Sequence, residues 1–190
     1  MIRIAVLGDI GSGKSFFAKQ LNVPIFDADN TVSDLYKDSK SLYVKLKKKF
    51  PKYISKFPID KSDLVKIITH KPSNFKKIIK IVHPLVRKQM YKFLKKNKNK
   101  KAVVLDVPLF LENKLNLNTD ILVFIDPSKY KMRSKLKKRK NFNIKIYKLL
   151  KSLQLPVGLK KEKADFVIKN NFNSAKIKKD AKDLLNKLII

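Results

Sequence analysis

Eight residues near the start of the chain, Gly8-Asp9-Ile10-Gly11-Ser12-Gly13-Lys14-Ser15, fit the pattern G-x-x-x-x-G-K-[ST]. They follow an apolar run, Arg3 to Leu7, and precede a segment whose Phe16, Phe17 and Leu21 suit a helix. This arrangement constrains the fold because glycines let the backbone turn with its amides pointing inward, a nest for phosphate oxygens. The helix that begins there adds its positive N-terminal end. Three of the four glycines in the whole chain fall inside this motif. The backbone of Gly8, Gly11, Ser12 and Gly13 is therefore expected to cradle phosphates. Lys14, expected as an exposed loop residue, would reach the β- and γ-phosphates, and the Ser15 hydroxyl would bind Mg²⁺. A chance match in a glycine-containing turn is the bland alternative, and the strand before and helix after argue against it. A nucleoside triphosphate is the implied ligand, which alone does not separate a kinase from a GTPase, an ATPase or a motor.

The remaining pattern suggests an α/β fold: a three-layer, doubly wound parallel sheet with an inserted helical region and a short basic lid. A second strand is expected at Pro24 to Asp27, then a helix with Val32, Leu35 and Tyr36 on one face. From about 39 to 100 no segment reads as a strand. Apolar residues recur there at helical spacing (Leu64, Ile67, Ile68, then Ile78, Val82, Leu85, Val86), with Ser62 and Ser73 as expected N-caps. Ala102 to Asp106, Ile121 to Ile125 and Phe166 to Ile168 are apolar runs of the kind found in sheets covered on both faces. A closing helix carries Ile177, Ala181, Leu184, Leu185 and Leu188 as one stripe. Residues 1–190 are expected to form one domain, with the helical insert at about 39–100 and the lid at about 128–160.

The net charge of +31 raises the question of a nucleic-acid partner. Only four of the 46 basic residues are arginines, Arg3, Arg87, Arg133 and Arg139, and the lysines are spread over nearly the whole length. Such a composition also arises from drift toward Lys, Asn and Ile, so charge alone decides nothing. There is no cysteine and there are two histidines, which excludes disulfides, thiolate metal sites and a His-rich metal site. No apolar run approaches the roughly 20 residues of a membrane span, and no signal-peptide pattern follows the first strand. A cytoplasmic protein without a membrane partner is expected.

Four further segments carry a more specific resemblance. Val23 to Asp29 reads Val-Pro-Ile-Phe-Asp-Ala-Asp, similar to the "IDAD" segment of dephospho-CoA kinases. Ile81 to Arg87 resembles the His-Pro motif of that family, and Asp106-Val107-Pro108-Leu109-Phe110-Leu111-Glu112 its D-V-P-L-L-x-E segment. Gln154, Lys160 and Ala164-Asp165-Phe166-Val167-Ile168-Lys169-Asn170 resemble its tail. The order and spacing match from about Ile4 to the carboxyl end. Departures occur at Asp9, where the family more often has glycine, at Phe16, where threonine is common, and after Asn170, where glycine is replaced by Asn171. The two lid arginines of the family correspond to Lys135 and Arg139, and lysine cannot form the bidentate fork of arginine.

The resemblance implies that ATP, with Mg²⁺, phosphorylates the ribose 3′-hydroxyl of dephospho-CoA. Asp29 would accept or orient the hydroxyl proton, although an Asp there could equally cap the helix starting at Asn30. Asp106 ends its strand either as a carboxylate holding a water on Mg²⁺ or as an ordinary polar residue. Phe16, Lys135, Arg139 and Asn170 would contact the nucleotide, Arg139 in the manner of an arginine finger. His83, Arg87, Pro108 and Leu109 would contact dephospho-CoA. The His83-Pro84 pair suits the start of a helix. Asp27 reads equally as a turn residue or a direct participant, and Glu112 faces the same cleft or caps a helix. Two rivals stand beside this reading: a nucleoside or nucleotide kinase, and a basic nucleic-acid-binding protein that uses ATP as a switch. Against the latter stand the dispersal of the lysines and the lack of an aromatic-interleaved basic platform. No specific nucleic-acid partner is expected, and a monomer is.

Overall fold

The computed structural model describes residues 1–138 and 142–189. Among these, the strands are β1 (Ile2–Gly8), β2 (Ile25–Asp27), β3 (Ala102–Asp106), β4 (Ile121–Pro127) and β5 (Phe166–Asn170). The helices are α1 (Lys14–Gln20), α2 (Ala28–Asp38), α3 (Lys40–Lys49), α4 (Lys61–His70) and α5 (Asn74–Lys96). They are followed by α6 (Lys129–Lys137), α7 (Ile144–Ser152), α8 (Val157–Glu162) and α9 (Ser174–Ile189). All strand pairings are parallel, in the order β2-β3-β1-β4-β5.

The apolar strands have two cores to fill because successive side chains point to opposite faces. Ala5 and Leu7 of β1, with Leu122 and Phe124 of β4, enter one core. There they meet Leu42 and Leu46 of α3, Ile67 of α4 and Ile78, Val82 and Val86 of α5. Ile4 and Val6 of β1, with Val123 and Ile125 of β4, enter the other, against Phe17 and Ala18 of α1 and Ile177, Ala181 and Leu184 of α9. Each of these strands would expose a row of aliphatic groups if either helical layer were lost. The expected α/β three-layer architecture is the one found. Register places Asp27 of β2 opposite Asp106 of β3, at the carboxyl edge of the sheet where the β1–α1 loop also lies. That edge is where open α/β sheets bind ligands.

Three local expectations are corrected, and a fourth, Ser73 as the N-cap of α5, holds in position only. Ser62 does not cap α4: it lies inside the helix, and the Asp60 carboxylate accepts from the Ser62 amide (2.8 Å) as the cap. Ser73 holds the N-cap position of α5 without a side-chain cap bond. His83-Pro84 does not begin a helix but sits within the 23 residues of α5. An interior proline costs about 3 kcal/mol through its missing amide and ring clash. Here buried Val82 and Val86 hold the chain helical on both sides, so packing overrides the local preference. Finally, β5 extends to Asn170, two residues beyond the expected end, which makes Asn170 part of the sheet. No helix among the described residues is long and apolar enough to cross a membrane.

Candidate active site

The loop between β1 and α1 needs its glycines. Gly8, Gly11 and Gly13 have φ of 147°, 80° and 92°. At Gly13 a Cβ would collide with the Asn170 amide nitrogen, and at Gly11 it would lie 2.7 Å from Leu136 of α6. The turn is pinned internally by the Ser12 amide donating to the Asp9 carbonyl (3.1 Å) and from outside by Asn170 Nδ2 donating to the Ser12 carbonyl (2.8 Å). Ser12 is fully buried. Gly13→Ala is therefore expected to destabilise the protein by about 2 kcal/mol or more, since a positive φ strains any side chain and Asn170 must move. Chemical denaturation measures this, and an unchanged unfolding midpoint would contradict it.

Lys14 is the first residue of α1 and is partly buried rather than an exposed loop residue. A lysine amine there donates to the Asp9 main-chain oxygen (3.1 Å). Burial pulls its pKa down from the usual lysine value, while the nearby Asp106 and Asp29 carboxylates oppose the shift. A triphosphate offers such a cation better compensation than one carbonyl oxygen. Asp106 is 5% exposed at the end of β3. Burial raises its pKa, against the effects of the Ser15 hydroxyl and of Lys14. Ser15 and Asp106 thus form a pair of hard oxygen donors beside the loop. That suits Mg²⁺, which is typically held by one or two carboxylates and the phosphates of its nucleotide.

Helix α2 is capped by Asp27, not by Asp29. The Asp27 carboxylate accepts from the Asn30 amide and from Asn30 Nδ2, both at 2.9 Å. Asp29 lies in the first helical turn, with its carboxyl group free of that duty. Its pKa is raised, first by burial and then by the like charges of Asp106 and Asp27, with Lys14 and Lys61 acting the other way.

Two cavities meet at Asp29. One, of about 440 Å³, is lined by Gly11, Gly13, Lys14, Ser15, Phe16 and Gln154. The other, of about 250 Å³, is largely apolar and lies between α2, α5 and the segment after β3. Its wall includes Tyr36, Val82, His83, Val86 and Arg87. Asp29, Pro108, Leu109 and Leu150 line both, and Asp29 is the one acidic residue on either wall among the described residues. Leu109 has a φ of 58°, a left-handed conformation that costs a residue with a Cβ roughly 1–2 kcal/mol. The cost is offset locally by Asn113, whose amide and side chain both donate to the Leu109 carbonyl (3.0 and 2.8 Å). In the apolar cavity burial pushes the Tyr36 phenol up to about 12. Burial and then Arg87 lower the His83 pKa, which favours the neutral imidazole.

The geometry is that of a glycine loop and its cavity meeting a second, largely apolar cavity across one carboxylate. The dephospho-CoA kinase family model matches residues 2–176 of this sequence. The chain belongs to the dephospho-CoA kinase family. Relatives named dephospho-CoA kinase include one from Wolbachia sp. subsp. Brugia malayi, 34% identical with 97% of each chain covered, and one from Wolbachia pipientis at 32% with the same coverage. Among solved structures, a Thermus thermophilus protein superposes with a TM-score of 0.78 at 23% identity, covering 98% of this chain and 97% of the other. A dephospho-CoA kinase from Campylobacter jejuni gives 0.68 at 22%, with the same coverage. At these identities the structures speak for the fold.

Not every residue named from the sequence faces the two cavities of this kinase. Asn170 is 3% exposed and its side chain is used twice within the protein: Nδ2 donates to Ser12 and Oδ1 accepts from the Phe172 amide (2.7 Å). It stands behind the loop as a brace. The Lys135 ammonium lies over the Phe172 ring, 5.2 Å from its centroid, rather than over the loop. Arg139 falls outside the described residues. Glu112 caps no helix: it accepts from the Leu155 amide (2.8 Å) and lies 4.0 Å from Lys160. Sequence reasoning did not single out Tyr36, Asn113 or Leu150 as wall residues. Gln154 and Lys160 were visible in the tail segment, but no spacing argument assigns them a place.

Proposed function

We propose that this kinase transfers the γ-phosphoryl group of ATP to the 3′-hydroxyl of dephospho-CoA, giving CoA and ADP. The observation that carries this reading is Asp29, the acid shared by the walls of the nucleotide cavity and the apolar cavity. The loop backbone and Lys14 would hold the triphosphate. The apolar cavity, with His83 and Arg87 on its wall, would hold the acceptor, so that residues of the 39–100 segment serve acceptor binding. In the reaction the 3′-oxygen forms a bond to the γ-phosphorus as the bond to the β,γ-bridging oxygen breaks. The hydroxyl proton passes to Asp29, whose carboxylate also aims the nucleophile. In a loose transition state, positioning and charge compensation matter more than basicity. Ser15 and Asp106 would hold Mg²⁺, which when bound neutralises charge on the β- and γ-phosphates. We further take the enzyme to act as a monomer in the cytoplasm.

ADP release with dephospho-CoA, compared with adenosine, nucleoside monophosphates and nucleic acid, tests the assignment. Turnover with a nucleoside monophosphate but none with dephospho-CoA would replace the acceptor. A salt series separates the kinase from the nucleic-acid rival. Binding of DNA or RNA by dispersed lysines is expected to collapse with salt through counterion release. Turnover should depend on salt less steeply, because its few charge contacts are close and shielded from screening. Nucleic-acid affinity that persists at physiological salt and stimulates ATP turnover would overturn the reading.

The pH dependence follows from the carboxylates. Asp29 must be ionised to accept a proton, and its pKa is raised, so the acid limb of kcat/KM is expected above the ordinary carboxylate range. Asp27→Asn preserves the cap acceptor but removes one like charge. The limb should then move to lower pH. A pH–rate profile measures both, and a limb that moves upward in this variant would contradict the assignment of the base.

A further inference from the structure

The one carboxylate of the phosphate loop is unused by the reaction just described. Asp9, inside the glycine motif, gathers ammonium groups from three elements. Lys14 of α1 donates to its main-chain oxygen at 3.1 Å, Lys151 of α7 reaches Oδ2 at 2.6 Å, and Lys160 of α8 reaches Oδ1 at 3.1 Å. Burial pushes the Asp9 carboxyl up, but the two lysines outweigh it and hold its pKa below the ordinary value. The carboxylate therefore stays ionised at neutral pH.

The two lysines are not equivalent. The Lys160 side chain is 3% exposed and lies between Asp9 and Glu112, and Glu112 is itself bound to the Leu155 amide. Lys160 is a buried strut. The Lys151 side chain is 38% exposed, and among the described residues Asp9 is its one acceptor. An ammonium group has three donors, so two remain unused. Its neighbours along α7 and just beyond, Leu150 and Gln154, line the nucleotide cavity. Two other basic groups of the lid segment point elsewhere, Lys135 onto Phe172 and Lys131 onto the Asn171 carbonyl (3.2 Å).

We infer that Lys151 is a phosphate-binding residue of the lid segment, held beside the glycine loop by Asp9, which acts as its positioning residue. With ATP bound, Lys151 keeps Asp9 and turns its free donors to the terminal phosphate, opposite Lys14. The inference rests on the loop holding ATP as proposed above, and deepens that reading by naming the lid-side cation.

The test uses the full-length kinase. Lys151→Met, Lys151→Arg, Asp9→Asn, the double variant Asp9→Asn/Lys151→Met, and Lys148→Met as a control for charge loss on the exposed face of the same helix are compared. Steady-state constants are measured for ATP and dephospho-CoA, and ATP and ADP affinities by calorimetric titration. A hydrogen bond to a charged group is worth about 1.5–3 kcal/mol. Lys151→Met should accordingly lose roughly 10- to 100-fold in kcat/KM for ATP. ATP affinity should fall more than ADP affinity, with the KM for dephospho-CoA little changed. Lys151→Arg should recover most of the loss, and Lys148→Met should behave as wild type. Asp9→Asn should give part of the loss, and the double variant should be no worse than Lys151→Met, because one contact is removed twice. A purely structural ion pair would lower the melting temperature and leave the ATP-to-ADP affinity ratio unchanged. That result, or Lys151→Met turning over ATP within twofold of wild type, overturns the inference. Failure of the acceptor assignment shows separately, as absent turnover of dephospho-CoA by the wild-type chain, while the ATP and ADP titrations still decide the role of Lys151.

Discussion

Asp29→Asn is expected to lower kcat by roughly 10²- to 10⁴-fold, the range that a positioned proton acceptor contributes. The KM values for ATP and dephospho-CoA should change little, so the loss lies in the transition state. The structure makes this variant informative because Asp27, not Asp29, supplies the cap of α2. An amide at position 29 leaves the helix terminus intact and removes a like charge near Asp106 and Asp27. The melting temperature should hold or rise. Steady-state kinetics and a thermal melt on the same preparation settle it: near-wild-type kcat would remove Asp29 from the chemistry.

Lys14→Ala is expected to abolish measurable phosphoryl transfer, with a loss on the order of 10³-fold or more, as when a preorganised charge-stabilising group is deleted. The fold should survive. Burial depresses the Lys14 pKa despite Asp106 and Asp29, so the charged amine is held in the free protein against a net cost. The sign follows: a lysine with a lowered folded-state pKa opposes folding while it is charged, and its removal relieves that opposition at neutral pH. Loss of activity with an unchanged or higher melting temperature therefore separates a functional lysine from a structural one. Full turnover at saturating ATP in a folded variant would sink the phosphate-loop assignment.

Much of the site was legible because it is written in short contiguous segments. The glycine motif, the strand ends at Asp27 and Asp106 and the His83–Arg87 turn each carry local backbone chemistry or local periodicity. The misreadings were also local. Asp29 and Asp27 are two residues apart, and either could accept from the Asn30 region, so only the geometry at 2.9 Å separates cap from free carboxylate. The His83-Pro84 step looked like a helix start because proline disfavours helix before it. Burial of Val82 and Val86 in the core beneath α5 is a long-range term that no dipeptide preference contains.

Asn170 and Lys135 show the same limit at longer range. From sequence, a polar residue after the last strand and a cation in the lid segment both read as nucleotide contacts. In the structure Asn170 spends its two polar ends on Ser12 and Phe172, and Lys135 lies over an aromatic ring. What a polar side chain binds depends on which partners come within about 3 Å, and Ser12, which holds the Asn170 amide nitrogen, lies at the other end of the chain.

By itself the sequence carried a glycine motif of the phosphate-binding kind after the first strand, a parallel sheet covered on both faces, and a resemblance to a kinase family. The first two rest on contiguous patterns whose physical meaning is local, glycines in a turn, continuous apolar strands and apolar helical stripes, and the third on the resemblance of short segments. Only the tertiary structure decided that Asp29 is shared by two cavities, that Asp106 lies beside Asp27 across the sheet, and that Asp9 joins Lys151 and Lys160. These are matters of register, strand order and loop closure. They bring together charges from opposite ends of the chain, and Coulomb and hydrogen-bond energies depend on distance in space rather than along the sequence.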